Sequence, residues 1–320
     1  MSRKTVRGGV SQGLPRAGAG RFLSRRTHDV NDDGPASWLF TIPAFVILIL
    51  FCIWPFLNTI RLSFTDSRML TPGKFVALQN YAKLFSDSRF LTALFNSALY
   101  MVCVVPFMVI LPLILAVLVT RKSRLIGFFR TTYYFPVVMS AVVVGLIWTN
   151  LLDTRGLINS TLQAMKIITE PISFLTDRWL TLFSAMFVTI WLGLGYYMII
   201  YLSALANIDQ SLYEAAELDG AGPLRKFVSV TIPGVHSTMK LICMLSSIAA
   251  FRVFNEIYVI TRGTGGVGGK DITMTMLIQQ EGTGLSARTG YASAISVVLL
   301  IIVGVLTLVQ QLVTRGGDDE

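Results

Sequence analysis

The chain has 320 residues, of which 53% are hydrophobic and only 14% charged, a balance that excludes an ordinary soluble two-domain protein of this length. Its formal net charge is +9. Much of the basic excess lies in the first 26 residues and in segments at the ends of apolar runs, which suits membrane orientation better than nucleic-acid binding.

Taken in chain order, residues 1–36 are rich in Arg, Gly and Ser and are expected to form a disordered basic cytoplasmic tail. Residues 37–63 are expected to be the first transmembrane helix. The apolar run from Trp38 to Ile60 is longer than the roughly 7–15 residues of a signal-peptide core, and no small-residue cleavage site follows. Residues 64–91 read as an external segment whose last part is an amphipathic helix leading into the next span. The second span, Ser97 to Val119, contains Pro106 and Pro112, which membranes tolerate because neighbouring groups satisfy the freed carbonyls. Arg121, Lys122, Arg124 and Arg130 make a short basic loop that reads as cytoplasmic. Further spans are predicted at about Thr131–Asn150, Trp179–Ala204, Ser237–Ile260 and Gly290–Val313, followed by a cytoplasmic C-terminus at 314–320. Cys52, Cys103 and Cys243 all fall in apolar runs and read as small buried hydrophobes. The predicted fold is all-α and polytopic, with six transmembrane helices. With the tail inside, cytoplasmic segments hold fifteen Lys and Arg against eleven outside, which places both termini in the cytoplasm.

The polar stretch Asn207–Pro233 lies between the fourth and fifth spans and carries its own start and stop signals. Ser211-x-x-Glu214 reads as a capping box opening a short helix over Tyr213–Asp219. Gly220 supplies the left-handed residue that ends it, and Pro223 opens a second short helix bearing Arg225 and Lys226. Ala215 and Ala216 leave a shallow surface that another protein could approach. On these residues alone the stretch is either a docking element or a hairpin joining two spans.

No catalytic constellation is present. The only histidines, His28 in the tail and His236 at a span entrance, exclude histidine metal pairs and argue against a serine or cysteine triad. Gly263–Lys270 has threonine at 264 and Asp271 where a phosphate-binding loop requires Gly and Ser or Thr, and reads as a flexible external loop. In the fifth span, Arg252 and Glu256 are i, i+4 and read either as a structural ion pair or as a functional site. In the fourth, Thr189, Gly193 and Tyr196 share a face, either for stacking a sugar ring or for helix packing. Ala249, Ala250 and Val253 of the fifth span are small.

Glu214-Ala215-Ala216-x-x-Asp219-Gly220-Ala221, with Phe227 and Thr231-Ile232-Pro233, resembles the EAA loop of binding-protein-dependent ABC importer permeases. Ile232 stands where leucine is usual. Asn80-Tyr81-x-x-Leu84-Phe85-x-Asp87 through Asn96 and Phe251-x-x-Phe254-Asn255-x-Ile257-Tyr258 resemble the larger, F-type permease of carbohydrate importers of maltose or glycerol-phosphate type, with Asn255 replacing an acid. The resemblance covers about Trp38 to Val313. It implies a type I permease domain at 92–313 preceded by one N-terminal helix. It also implies an ATPase-coupling site at Glu214, Ala215, Ala216, Asp219 and Gly220, and a substrate pathway at Thr189, Leu192, Gly193, Tyr196, Ala250, Val253, Asn255 and Glu256. The implied partners are two ATP-binding cassette subunits, a second permease forming a heterodimer, an extracytoplasmic solute-binding protein and membrane lipid, with no nucleic acid and no cofactor on this chain. The implied setting is a bacterial inner membrane. An ion-driven secondary transporter is the rival reading, but it needs intramembrane carboxylates and the spans offer essentially Glu256.

Overall fold

A computed structural model describes residues 35–120 and 124–315. The expected tail, the first half of the basic loop and the far C-terminus lie outside the described residues. The described chain divides into two units, one ending at Ile53 and one beginning at Trp54. In the first, α1 (Pro35–Leu48) runs into a π turn at Ile49–Ile53. Phe45, Ile47, Leu50 and Phe51 are all exposed, as on a helix that is apolar all round and built for lipid or protein surroundings.

The second unit begins with α2 (Trp54–Ser63), α3 (Gln79–Ser86), α4 (Ser88–Leu118), α5 (Arg124–Val138), α6 (Ala141–Leu151) and α7 (Leu157–Ala164). It continues with α8 (Arg178–Leu205), α9 (Gln210–Leu218), α10 (Pro223–Lys226) and α11 (Ile232–Gly234). It ends with α12 (His236–Phe251), α13 (Asn255–Ile260), α14 (Met274–Gly282) and α15 (Thr289–Arg315). Five helical stretches are long and apolar enough to cross a bilayer: Thr41–Ser63, Ser88–Leu118, Arg178–Leu205, His236–Ile260 and Thr289–Val313. The predicted third span is instead a bent pair, Thr131–Val138 and Ala141–Leu151, whose axes meet at 107°. Pro136 removes a helical donor, and Ser140 adopts an extended ψ of 133° before α6. The count of six therefore holds when that pair is taken as one broken span.

Local chemistry sets the long helices. The Asp87 carboxylate accepts from the Arg89 N–H at 2.9 Å to start α4, and the Asp177 carboxylate from the Leu180 N–H at 3.0 Å to start α8, each satisfying a first-turn amide. The core forms where α4 packs against α8 and α12, around the fully buried Tyr100, Leu182, Met198, Tyr201 and Ile242. Tyr201 donates its hydroxyl to the Val109 carbonyl at 3.0 Å, between the two prolines of α4. Small residues let these helices approach closely. A Cβ on Gly195 would lie 2.1 Å from the Tyr133 carbonyl oxygen, which seats α5 against α8.

At the end of the spans away from α9, asparagines of the Asn80…Asn96 signature act as staples. Asn80 donates to the carbonyls of Ser63 and Thr65 at 2.9 and 2.7 Å. Asn96 donates to those of Lys270 and Ile272 at 2.7 and 2.8 Å. Nearby, Glu281, with a side chain only 9% exposed, receives Arg89 at 2.8 Å and Arg288 at 2.7 Å, while Tyr291 donates to Asp87 at 2.6 Å. Burial raises the Asp87 carboxyl, but the Tyr291 hydroxyl, two backbone amides and Arg89 outweigh it, so it ends below the ordinary value.

Candidate functional site

The hairpin between α8 and α12 is built from backbone chemistry. Its first helix is capped by Asp209, not Ser211. Asp209 is extended (φ −64°, ψ 128°), and its carboxylate accepts from the Ser211 N–H at 2.9 Å. The capping-box expectation is corrected on this point: a carboxylate one residue ahead of the helix reaches the free amides first, so Ser211 and Glu214 lie inside α9. Hydrogen bonds from the Ser211 backbone and side chain hold the Asp209 carboxyl below its ordinary value. At the other end Gly220 adopts φ +73°. Its N–H donates to the Glu217 carbonyl at 3.0 Å, and the Ala221 N–H to the Ala216 carbonyl at 2.9 Å. This doubly bonded left-handed ending is available to glycine at no steric cost.

Gly222 then precedes Pro223 at the first position of α10. The chain stays helical through a π turn at Phe227–Thr231 and past Pro233 to Gly234, so Pro233 lies within the second arm and does not close it. Tyr213 and Thr231 share a hydroxyl–hydroxyl bond at 3.0 Å that ties the arms together. Lys226 reaches Glu217 at 3.3 Å, but Glu217 is exposed and such a pair contributes little. Beneath the hairpin a cavity of about 450 Å³ is lined by Val117, Thr120, Leu205, Ile208, Tyr213 and Phe227, among others.

No residue of α9 is buried. Glu214, Ala215, Asp219 and Gly220 are exposed, whereas Ala216 is half-buried. The two alanines therefore do not make one shallow surface, because consecutive helical residues point about 100° apart. The sequence reading missed the apolar part of this surface: Leu212, Leu218 and Leu224 are 53%, 90% and 77% exposed. The signal was available, since leucine at 212 and 218 is out of place on a nine-residue helix that is otherwise mainly polar or small.

The predicted pathway residues separate into two groups. Thr189 is half-buried and hydrogen-bonded to the buried Tyr100 hydroxyl. Gly193 is buried, and a Cβ there would lie 2.2 Å from the Met108 sulfur, so it is a packing glycine. Ala250 and Val253 are buried as well. Leu192 is half-buried, Tyr196 is 49% exposed and edge-on to Tyr197, Asn255 is exposed, and Glu256 is half-buried.

The Arg252–Glu256 ion pair, one of the two readings of that spacing, does not form among the described residues. The helix breaks between them, with Phe254 at φ −137° and ψ −57°, so the i, i+4 geometry is lost. The Val253 carbonyl freed by the break accepts from Thr273 at 3.0 Å and from Thr275. The glycine-rich segment is a tight turn: Arg262, Gly263, Gly265, Gly266, Gly268 and Gly269 all have positive φ, and the Asp271 N–H closes it on the Gly265 carbonyl at 2.7 Å. Asp271 is fully buried with neither carboxyl oxygen hydrogen-bonded. Burial pushes it up to about 7, against the lowering effect of Arg178 and with a further raise from Asp177.

A set of membrane-length helices whose longest polar connection is a self-capped, exposed helical hairpin defines a polytopic membrane protein. Residues 73–316 match the family of binding-protein-dependent transport system inner membrane components, and the chain belongs to that family. It is thus a transport component, not an enzyme. Among curated relatives, the lactose transport system permease protein LacF of Rhizobium radiobacter is 34% identical over 91% of this chain and 96% of its own length. The diacetylchitobiose uptake system permease protein NgcF of Streptomyces coelicolor is 32% identical over 86% of this chain and 81% of its own. A crystal structure of a bacterial ABC transporter that imports the acidic polysaccharide alginate superposes with a TM-score of 0.76, at 20% identity, over 88% of this chain and 95% of that one. That likeness establishes the shared permease fold.

Proposed function

We propose that this chain forms half of the translocation pathway of an ATP-driven sugar importer and passes the motion of its ATPase subunits to the spans through α9. The observation that carries the reading is the hairpin: α9 is capped at both ends, tied to the second arm by Tyr213 and Thr231, and exposes Leu212 and Leu218. A rigid helix with an apolar exposed face is suited to a groove on another protein. α9 follows α8 after a four-residue connection and α12 begins just past α11, so a push on the hairpin moves two packed spans. Glu214 and Ala215 lie on the exposed surface of α9, and Gly220 sets where the helix ends.

The sugar assignment rests on relatives named for lactose, diacetylchitobiose and arabinooligosaccharides. Within the spans, Tyr196 and Asn255 are the predicted pathway groups left exposed, and an aromatic face and a hydrogen-bonding amide both suit a sugar ring. A second permease, two ATP-binding subunits and a binding protein outside the membrane complete the proposed assembly, with both termini of this chain in the cytoplasm. The test is co-purification of the detergent-solubilised chain with its partners, wild type beside Glu214→Lys. An ATPase and a second permease recovered with wild type and lost with the variant support docking through α9. A wild-type chain that emerges alone, without ATPase activity, overturns it.

A further inference from the structure

Arg252 lies well inside the membrane-length stretch His236–Ile260, eight residues from its nearer end. It lies at the break between α12 and α13, is exposed, and its side chain makes no hydrogen bond or ion pair among the described residues. It opens onto a groove of about 390 Å³ between α2, α14 and α15. Phe56, Ile60, Ile278, Leu300 and Val303 supply apolar wall, and Thr59, Thr275 and Ser296 supply the remaining polar atoms. Each hydroxyl already donates to a backbone carbonyl: Thr59 to Pro55 and Ser296 to Ala292, both at 2.9 Å, and Thr275 to Val253. What they still offer a ligand is acceptor lone pairs.

The groove thus presents one unpaired cation, three oxygens that can only accept, and a long apolar wall. A lone guanidinium at membrane depth calls for an anion, and it pairs best with phosphate or carboxylate oxygens. Acceptor-only hydroxyls call for a ligand that carries its own O–H donors. The wall along α15 from Ser296 to Val303 spans roughly 10 Å at 1.5 Å per residue, which suits a hydrocarbon chain and leaves a free sugar's hydroxyls unpaired. We propose that this groove is a binding site for an anionic glycerophospholipid with a hydroxylated head group. Its phosphate pairs with Arg252, its head-group hydroxyls donate to Thr59, Thr275 and Ser296, and an acyl chain lies against Ile60, Leu300 and Val303. The site is separate from the hairpin and stands independently of the transport reading.

The test is native mass spectrometry of the full chain released from nanodiscs containing equal amounts of phosphatidylglycerol and phosphatidylethanolamine, beside Arg252→Gln and Arg252→Lys. Wild type is expected to retain phosphatidylglycerol in preference, Arg252→Gln to lose that retention by about tenfold or more, as for a lost charge-assisted hydrogen bond, and Arg252→Lys to keep part of it. Far-ultraviolet circular dichroism confirms that the variants remain helical. Equal retention of the two lipids by wild type, or unchanged preference in Arg252→Gln, overturns the proposal. A further arm adds water-soluble glycerol 1-phosphate. If it binds wild type in an Arg252-dependent way while no lipid is retained, the site serves a solute and the lipid assignment fails.

Discussion

Replacing Gly220 with valine isolates what the end of α9 contributes. Gly220 holds φ +73°, and a Cβ there would meet nothing within 4 Å, so the substitution causes no collision with the rest of the protein. The whole cost is local: a β-branched residue in the left-handed region is disfavoured by about 1–2 kcal/mol. The conformation it penalises is the one in which Gly220 and Ala221 donate to the Glu217 and Ala216 carbonyls. At 1.4 kcal/mol per factor of ten, the capped ending loses population by about 5–30-fold. Since α9 buries no residue, global stability is expected to change little. The deficit should appear instead in ATP-driven uptake by the reconstituted complex, while its ATP hydrolysis continues. Gly220→Asn, which enters the left-handed region readily, should retain most of the uptake. Normal uptake with valine, or an asparagine variant as impaired as valine, would refute the claim that this helix ending transmits the motion.

Leu218→Asp changes a side chain that is 90% exposed, so folding should be unaffected while recovery of the ATPase subunit falls by tenfold or more, about the effect of losing an anchor at an interface centre. Glu281→Gln leaves Arg89 and Arg288 without their shared carboxylate; with both guanidinium groups about half exposed, a loss of about 1–3 kcal/mol is expected, read as a lower unfolding midpoint in detergent. Gly195→Ala places a methyl against the Tyr133 carbonyl oxygen, which backbone cannot yield to, and should destabilise by about 1–3 kcal/mol; Gly127→Ala, with nothing within 4 Å, is expected to be neutral or up to about 1 kcal/mol stabilising in helix α5. For Asp271 the folded value of about 7 exceeds the ordinary 3.8. The folded state therefore holds the proton more tightly, and stability should fall as pH rises from about 4 to about 7, by at most 1.4 kcal/mol per unit. Asp271→Asn should flatten that slope in thermal melts taken across the range.

Apolar runs long enough to span a bilayer are visible in one dimension, because no water inside it pairs an open backbone and a helix becomes obligatory. The spans at Arg178–Leu205 and Thr289–Val313 were legible for that reason, and so was the second, though it begins at Ser88 and not at the expected Ser97. So were Gly220 and Pro223, whose backbone restrictions are intrinsic to the residue. Competition between neighbours was not legible in the same way. Asp209 and Ser211 can each cap a helix, and only the folded path of the chain decides that Asp209 does. Periodicity placed Arg252 and Glu256 on one face, yet Thr273 and Thr275, some twenty residues later, accommodate a broken helix by donating to the Val253 carbonyl.

The same limit governs the predicted pathway. Thr189, Gly193 and Tyr196 share a stripe by spacing alone, but Met108 and Tyr100 on α4 cover the first two and leave Tyr196 accessible. Which side of a stripe is packed depends on the neighbouring helix, and that neighbour lies about ninety residues away in the chain. Membrane class, the positions of the unbroken spans and the glycine ending of α9 were thus determined by the sequence itself, through requirements local to each segment. The break at Arg252 and the division of buried from open pathway residues were decided only by tertiary packing, where distant side chains supply or withhold the partners that each backbone group needs.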